Sequence, residues 1–286
     1  MTTSPLYISL CIIFMCIAGE FFTSKSAELP FNTKYTPLWG GDHVSILEQG
    51  RQVQIKIDES SGGGFISKQS YGSGFFQMSL KVPKNANGII TTFYLTSAHD
   101  NIMNGSNKHD ELDFEFLGKK GGYILSTNVF AQDSGNREQQ FSLWFDPTSA
   151  FHDYKFLWNQ HQIVFYIDTV PIRVLKNVKG IGARYPSQPM YVHASVWNKT
   201  QWVGPVDWKR GPFYANYRSF EINGCDYSES DPRKCESLKY SWNAKKKWQL
   251  DPQQQRVYQT YKKRHIVFDY CNSNSSSSNF PECKLP

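Results

Sequence analysis

Charge is sparse in this 286-residue chain, where Asp, Glu, Lys and Arg make up only 20% of residues against 40% apolar and 15% aromatic ones. That balance excludes a disordered chain, because there is ample apolar surface to offset the entropy lost on ordering. Long apolar runs are also missing: the N-terminal run from Leu6 to Ala18 has thirteen residues, short of the roughly 20 a membrane-spanning helix needs. Such a run predicts the hydrophobic region of a cleaved secretion signal within residues 1–27, although no Lys or Arg precedes it, with an uncleaved anchor as the alternative. No internal repeat of 20 to 50 residues is present, which argues against a propeller or a solenoid. Cysteine spacing lacks the short Cys-X-X-Cys turn of a zinc site.

Six cysteines are present, and removal of the signal takes Cys11 and Cys16 with it. Cys225, Cys235, Cys271 and Cys283 remain, and in a secreted protein they read as two disulfides, sequential pairing being the simplest of three connectivities. The excess of 31 basic over 25 acidic residues leaves +6, visible mainly near the C-terminus. An acidic polysaccharide suits that charge as well as nucleic acid does. Lys262-Lys263-Arg264 is read as the solvated last turn of a short helix begun by Asp251-Pro252, and Lys245-Lys246-Lys247 likewise as a solvated run, so no nucleic-acid partner is expected.

Between Tyr35 and Phe220 the pattern is all-β. Val53 to Ile57, Phe76 to Val82 and Ile163 to Ile167 read as short alternating or apolar runs set between Gly, Pro, Asn and Asp turn residues. A two-sheet jelly-roll sandwich is predicted over residues 28–220, followed by an extension, 221–286, that contains the helix. Asn272 to Asn279 is mostly Ser and Asn and reads as a loop between the last two cysteines.

The segment with chemistry in it is His109-Asp110-Glu111-Leu112-Asp113-Phe114-Glu115-Phe116-Leu117-Gly118. Strict alternation puts Leu112, Phe114 and Phe116 on one strand face and Glu111, Asp113 and Glu115 on the other. Crowded carboxylates need open water, a metal or a shared proton. A retaining glycosidase uses two carboxyl groups about 5–5.5 Å apart, one as nucleophile and one as acid/base. Glutamates four apart on a strand have Cα atoms about 13 Å apart, and leaning side chains on a concave face close most of that gap. An ordinary solvated strand face and a calcium or manganese site are the competing readings.

HDELDFEFLG resembles the catalytic signature of the xyloglucan endotransglucosylase/hydrolases of plant cell walls, within glycoside hydrolase family 16. The resemblance continues through Ser126-Thr127-Asn128-Val129, Gly135-Asn136-Arg137-Glu138-Gln139, Leu143-Trp144-Phe145-Asp146-Pro147-Thr148, Val196-Trp197-Asn198, Gly211-Pro212-Phe213 and Phe280-Pro281-Glu282-Cys283. It implies Glu111 as nucleophile, Glu115 as acid/base and Asp113 as their assistant, with no metal or cofactor. It also implies donor-sugar contacts from Glu115, Ser126, Thr127, Asn128, Asn136, Arg137 and Glu138, and acceptor contacts from Trp197, Gln201, Trp202 and Gly204. A concave substrate cleft in the jelly roll, and a C-terminal extension pinned by disulfides Cys225–Cys235 and Cys271–Cys283, follow from the same resemblance. So do xyloglucan as donor, xyloglucan or its oligosaccharides as acceptor, a monomeric enzyme, and a place in the cell wall.

Departures from the family pattern bear on the reaction. Ser126 stands where the family has Gln, Asn136 where it has Asp, and the loop Trp202 to Trp208 is short. A weakened acceptor side favours water over a second sugar chain, so a hydrolytic share is expected beside transfer. Sequons occur at Asn104, Asn198 and Asn274, while Lys119-Lys120-Gly121-Gly122 replaces the family's frequent one. His109 is read as structural rather than as a base. A catalytically weak wall-binding protein and a hydrolase of another β-glucan are the alternative functions.

Overall fold

The computed structural model of the protein describes residues 29–98, 108–227, 232–272 and 280–284. The signal segment, Asn104 and Asn274 lie outside the described residues. Strands follow in the order β1 (Tyr35–Trp39), β2 (Val44–Leu47), β3 (Gln52–Ile57), β4 (Gly63–Lys81), β5 (Ile89–Thr96), β6 (His109–Lys119) and β7 (Gly122–Asp133). They continue with β8 (Gln139–Ser142), β9 (His152–Trp158), β10 (Gln162–Ile167), β11 (Val170–Lys176), β12 (Met190–Asn198), β13 (Phe213–Asp226) and β14 (Ile266–Asp269).

All pairings are antiparallel, and the 19-residue β4 joins two layers. Its first half pairs with β1 and β12, whereas its second half pairs with β9 and β13. One layer therefore reads β1-β4-β12-β5-β6-β7-β8-β14 and the other β2-β3-β13-β4-β9-β10-β11. This is the jelly-roll sandwich that the alternating pattern predicts.

Aromatic side chains from both layers meet between them. Phe93 on β5 and Phe114 on β6 lie 5.0 and 4.8 Å from Phe156 on β9, and Phe114 lies 5.2 Å from Phe165 on β10. All four are fully buried. Because Phe114 points inward, its neighbours Asp113 and Glu115 must point out of the sandwich. The packing of one face thus sets the chemistry of the other.

The C-terminal extension is built as the sequence predicts, with bonded Cys225–Cys235 and Cys271–Cys283 and a helix over Pro252–His265. Asp251 opens the helix with a reciprocal cap: Gln254 N–H donates to Asp251 Oδ1 at 2.8 Å, and Asp251 N–H to Gln254 Oε1 at 3.4 Å. The expected boundary at residue 220 needs correction, because β13 runs through it to Asp226. Nor is the extension separate, since β14 hydrogen-bonds β8 and extends the first layer. An unpaired sheet edge calls for such cover.

Phe156→Ala removes a ring that touches three others in the fully buried core. It is expected to lower stability by about 3–5 kcal/mol, read as the midpoint shift in urea unfolding monitored by circular dichroism.

Candidate active site

Register across the first layer brings residues from separate segments into rows on its outward face. Glu115 on β6 sits between Thr92 on β5 and Ser126 on β7, and Asp113 between Tyr94 and Asn128. Glu111 sits between Thr96 and Phe130. One strand farther, Tyr191, His193 and Ser195 on β12 continue the three rows, and Trp197 lies beside Ile90. The result is a polar floor of low exposure, with Asp113, Ser126, Asn128, His193 and Ser195 all buried.

Electrostatics differ sharply among the three acids. Burial pushes the Asp113 carboxyl well above the carboxylate range, and the charges of Glu111 and Glu115 push it in the same direction. Held neutral, Asp113 donates its proton in a hydrogen bond to Glu111. Glu115 is pushed up to about 8, first by desolvation and then by the charges of Glu111 and Glu138. A carboxylic acid that keeps its proton at neutral pH is suited to general acid work. His109 Nε2 lies 3.5 Å from Glu111 Oε2, and its ring stacks on Phe130 at 4.7 Å. Its hydrogen bond to Glu111 raises the imidazole pKa, so His109 supports the carboxylate from the side opposite Asp113 in the strand.

The expected donor-side residues divide. Ser126 faces the floor, and its hydroxyl is buried without a hydrogen-bond partner among the described residues. Asn128 Oδ1 accepts from the Val129 and Arg137 amides at 2.8 and 3.0 Å, and its Nδ2 donates to Glu138 Oε1 at 3.4 Å. Asn136 is exposed and bonds Ser134. Thr127 does not reach this face: period-two alternation turns it inward, where its fully buried hydroxyl donates to the Gln139 carbonyl and accepts from Arg173 Nη1. Arg137 is also corrected. Its guanidinium is buried against Glu282 at 2.7 Å and Asp133 at 2.9 Å, leaving it a structural clamp rather than a free sugar contact.

On the other side, Trp197 and the exposed Trp202 stand with ring centroids 6.0 Å apart, Gln201 is exposed, and Gly204 takes a left-handed φ of 92°. Lys119 Nζ donates to the Trp202 carbonyl at 2.9 Å and ties the β6–β7 turn to this loop. Asn198 is exposed at the end of β12.

Several floor residues escaped the sequence reading. Tyr94 stacks on His193 at 4.9 Å and hydrogen-bonds Ser195 beside the acids. Trp39, 39% exposed, lies over Gly64, where an added Cβ would come within 2.6 Å of its indole nitrogen. The alternation of Tyr191, His193, Ser195 and Trp197 with Val192, Ala194 and Val196 carried a readable signal. Trp39 carried none, because its place depends on the β1–β4 register.

Among the described residues no group of three or more His, Cys, Asp or Glu side chains is arranged to hold a metal ion. The four cysteines are bonded in pairs and therefore do not bind zinc.

Comparison with known proteins identifies the family and the fold. A family model described as glycosyl hydrolases family 16 matches residues 31–210. The xyloglucan endotransglucosylase/hydrolase protein 3 of Arabidopsis thaliana is 44% identical over 280 residues, covering 93% of each chain. Protein 2 of the same name and organism is 42% identical over 271 residues, covering 91% of this chain and 90% of the relative. Xyloglucan endotransglucosylase protein 2 of Diospyros kaki is 41% identical, covering 91% and 89%. Among solved structures, a Bacillus licheniformis β-glucanase superposes with a TM-score of 0.55 at 24% identity, over 65% of this chain and 89% of that one, and shares the fold.

Raising the Glu115 value from an ordinary 4.5 to about 8 favours its neutral form when folded. The associated stability is full below the ordinary value and is lost as pH rises through about 8. Difference infrared spectroscopy is expected to show a protonated carboxyl band lost near pH 8 and absent in Glu115→Gln. Glu138→Gln removes one raising charge and moves that midpoint down.

Proposed function

The chain belongs to the glycosyl hydrolases of family 16 and, within them, to the xyloglucan endotransglucosylase/hydrolases, and from that membership we propose that its outward sheet face cleaves and rejoins xyloglucan by a retaining mechanism. Glu111 attacks the anomeric carbon of a β-1,4-linked glucosyl unit, while Glu115 gives its proton to the departing glycosidic oxygen. The C–O bond breaks, an ester to Glu111 forms, and one chain fragment leaves with the proton. A hydroxyl of a second xyloglucan chain, or of water, then attacks the same carbon while the Glu115 carboxylate removes the proton of that hydroxyl. The ester breaks, and two inversions leave the β configuration intact.

The observation that carries this reading is the placement of a neutral acid, Glu115, on the same face of one strand as Glu111, which accepts a hydrogen bond from Asp113. Asp113 steadies the carboxylate before attack and tempers its charge. His109 performs the same positioning from beside it. Ser126, Asn128, Asn136 and Glu138 line the donor side, where Asn136 is exposed to the sugar and the Ser126 hydroxyl is buried in the floor. Trp197 and Trp202 present flat apolar faces to the acceptor, a geometry suited to the C–H face of a sugar. With Trp202 as the exposed ring at the rim of a short loop, the acceptor is held by few contacts and water competes for the ester.

The activity is that of a wall-remodelling transferase with a hydrolase component. A secreted, monomeric enzyme of the apoplast fits it, and no described helix is long and apolar enough to cross a membrane. The intact acids speak against a purely binding role.

With xyloglucan and a labelled xyloglucan oligosaccharide, the protein is expected to incorporate label and release some new reducing ends. Glu111→Ala should abolish both, and Glu115→Gln should lower both by about 10²–10⁴-fold. Retained turnover in Glu111→Ala refutes the assignment. Trp202→Ala should reduce incorporation several-fold while leaving reducing-end release nearly unchanged, so that the ratio of the two reports the acceptor side.

A further inference from the structure

Beside the acid-bearing strand lies a second cavity of about 670 Å³ at the end of the sandwich, within the ~300–1,000 Å³ range of small-ligand sites. It is lined by the β4–β5 loop, the β6–β7 turn, the segment after β8, and Arg210. Three cations, Lys84, Lys119 and Arg210, border it, against one lining carboxylate, Asp146. Asp146 is occupied, since its Oδ1 accepts the Thr148 amide at 2.9 Å. Arg210 pairs with Asp207 at 3.2 Å, but both side chains are more than half exposed and such a pair is weak. Lys119 spends one of its three donors on the Trp202 carbonyl, leaving two. Lys84 is exposed.

The lining is not merely basic. Tyr123 and Phe145 contribute ring surface, Phe145 being held in place by stacking on His152 at 3.7 Å. Asn85 and Asn87 add neutral amide groups, both exposed. Cations for carboxylates, amide groups for sugar hydroxyls, and rings for C–H faces together match one ligand chemistry. We propose that this cavity binds a uronate-bearing oligosaccharide segment of an acidic polysaccharide, as an ancillary site distinct from the three acids. Lys119 is four residues beyond Glu115 on the same strand, about 13 Å along it. A bound acidic chain therefore runs next to the cleft and holds the enzyme beside the polymer it remodels.

The test measures binding of a galacturonic acid oligomer to the full protein by calorimetry at low salt and at 0.15 M salt, with a cello-oligosaccharide of equal length as the neutral control. Saturable binding of the acidic oligomer is expected, stronger than that of the neutral one and weakened by salt. Lys84→Glu combined with Arg210→Glu should weaken it by about tenfold or more while xyloglucan turnover is retained, which also shows that the variant folds. Lys245→Glu, a charge reversal on an exposed lysine away from the cavity, should leave binding nearly intact. The proposal is overturned if the cavity variant binds as well as the parent, if Lys245→Glu weakens binding equally, or if polyphosphate of similar charge binds just as tightly. The last two outcomes mean attraction to net charge alone.

Discussion

Three carboxyl groups forced onto one face of five consecutive strand residues set the terms for the rest of this structure. Successive Cα atoms on that face stand about 7 Å apart, and at an effective dielectric near 20 full charges even at that spacing cost about 2 kcal/mol a pair, and more where side chains lean together. Burial of Asp113 raises the cost of ionising all three. The fold resolves the conflict by protons rather than by counterions: Asp113 and Glu115 retain theirs, and Asp113 spends its own on Glu111. Any sheet that kept Leu112, Phe114 and Phe116 in its core would inherit this arrangement. Only one with few cations on the floor would keep the acids poised rather than neutralised.

Alternation made β6 legible in the first layer, and β3, the second half of β4 and β10 in the other. On β6 the pattern puts Leu112, Phe114 and Phe116 inward and the three acids outward, because each inward residue finds a packed partner and period two leaves the others no choice. The C-terminal helix was readable from Asp251-Pro252 and its basic end, which are local signals. Thr127 shows where resemblance overrode geometry. Ser126, Thr127 and Asn128 cannot all face one way on a strand, and the middle residue turns to Arg173. Arg137 was illegible for a different reason: its partner Glu282 lies 145 positions away in the chain, and nothing in the local pattern announces a buried cation. Trp39 belongs to the same class, set by the register of β1 on β4.

The contrast between the two sides of the site follows from how each is held. Of the proposed donor-side groups, Ser126 and Asn128 sit on β7, inside a continuous ladder from β5 to β14, and Asn136 and Glu138 lie in the short loop before β8. On the acceptor side, Trp202 sits on a four-residue helical turn, Thr200–Val203, secured by the buried Val203 and by the Lys119 bond to its carbonyl. Such a turn is too short to be rigid by itself. Strand-borne groups suit a bound intermediate that must not move, and loop-borne ones suit a partner that must be exchanged.

Rigidity on the donor side in turn depends on the C-terminal extension. Glu282, next to the disulfide-bonded Cys283, accepts from Arg137 Nε at 2.7 Å, and the Phe280 ring covers the same guanidinium at 4.7 Å. The Arg137 amide then donates to Asn128 Oδ1, and Asn128 Nδ2 donates to Glu138, whose charge helps keep the proton on Glu115. Arg173 braces the same segment from beneath, donating to the Arg137 and Thr127 carbonyls while packed against Tyr270. Two buried guanidiniums, each hydrogen-bonded through two of its nitrogens, are costly to desolvate but hard to displace, since breaking either contact strands a charge in the core. The last turn of the chain thereby reaches the acid through a sequence of directional bonds, which is why the extension is folded onto the sandwich rather than tethered to it.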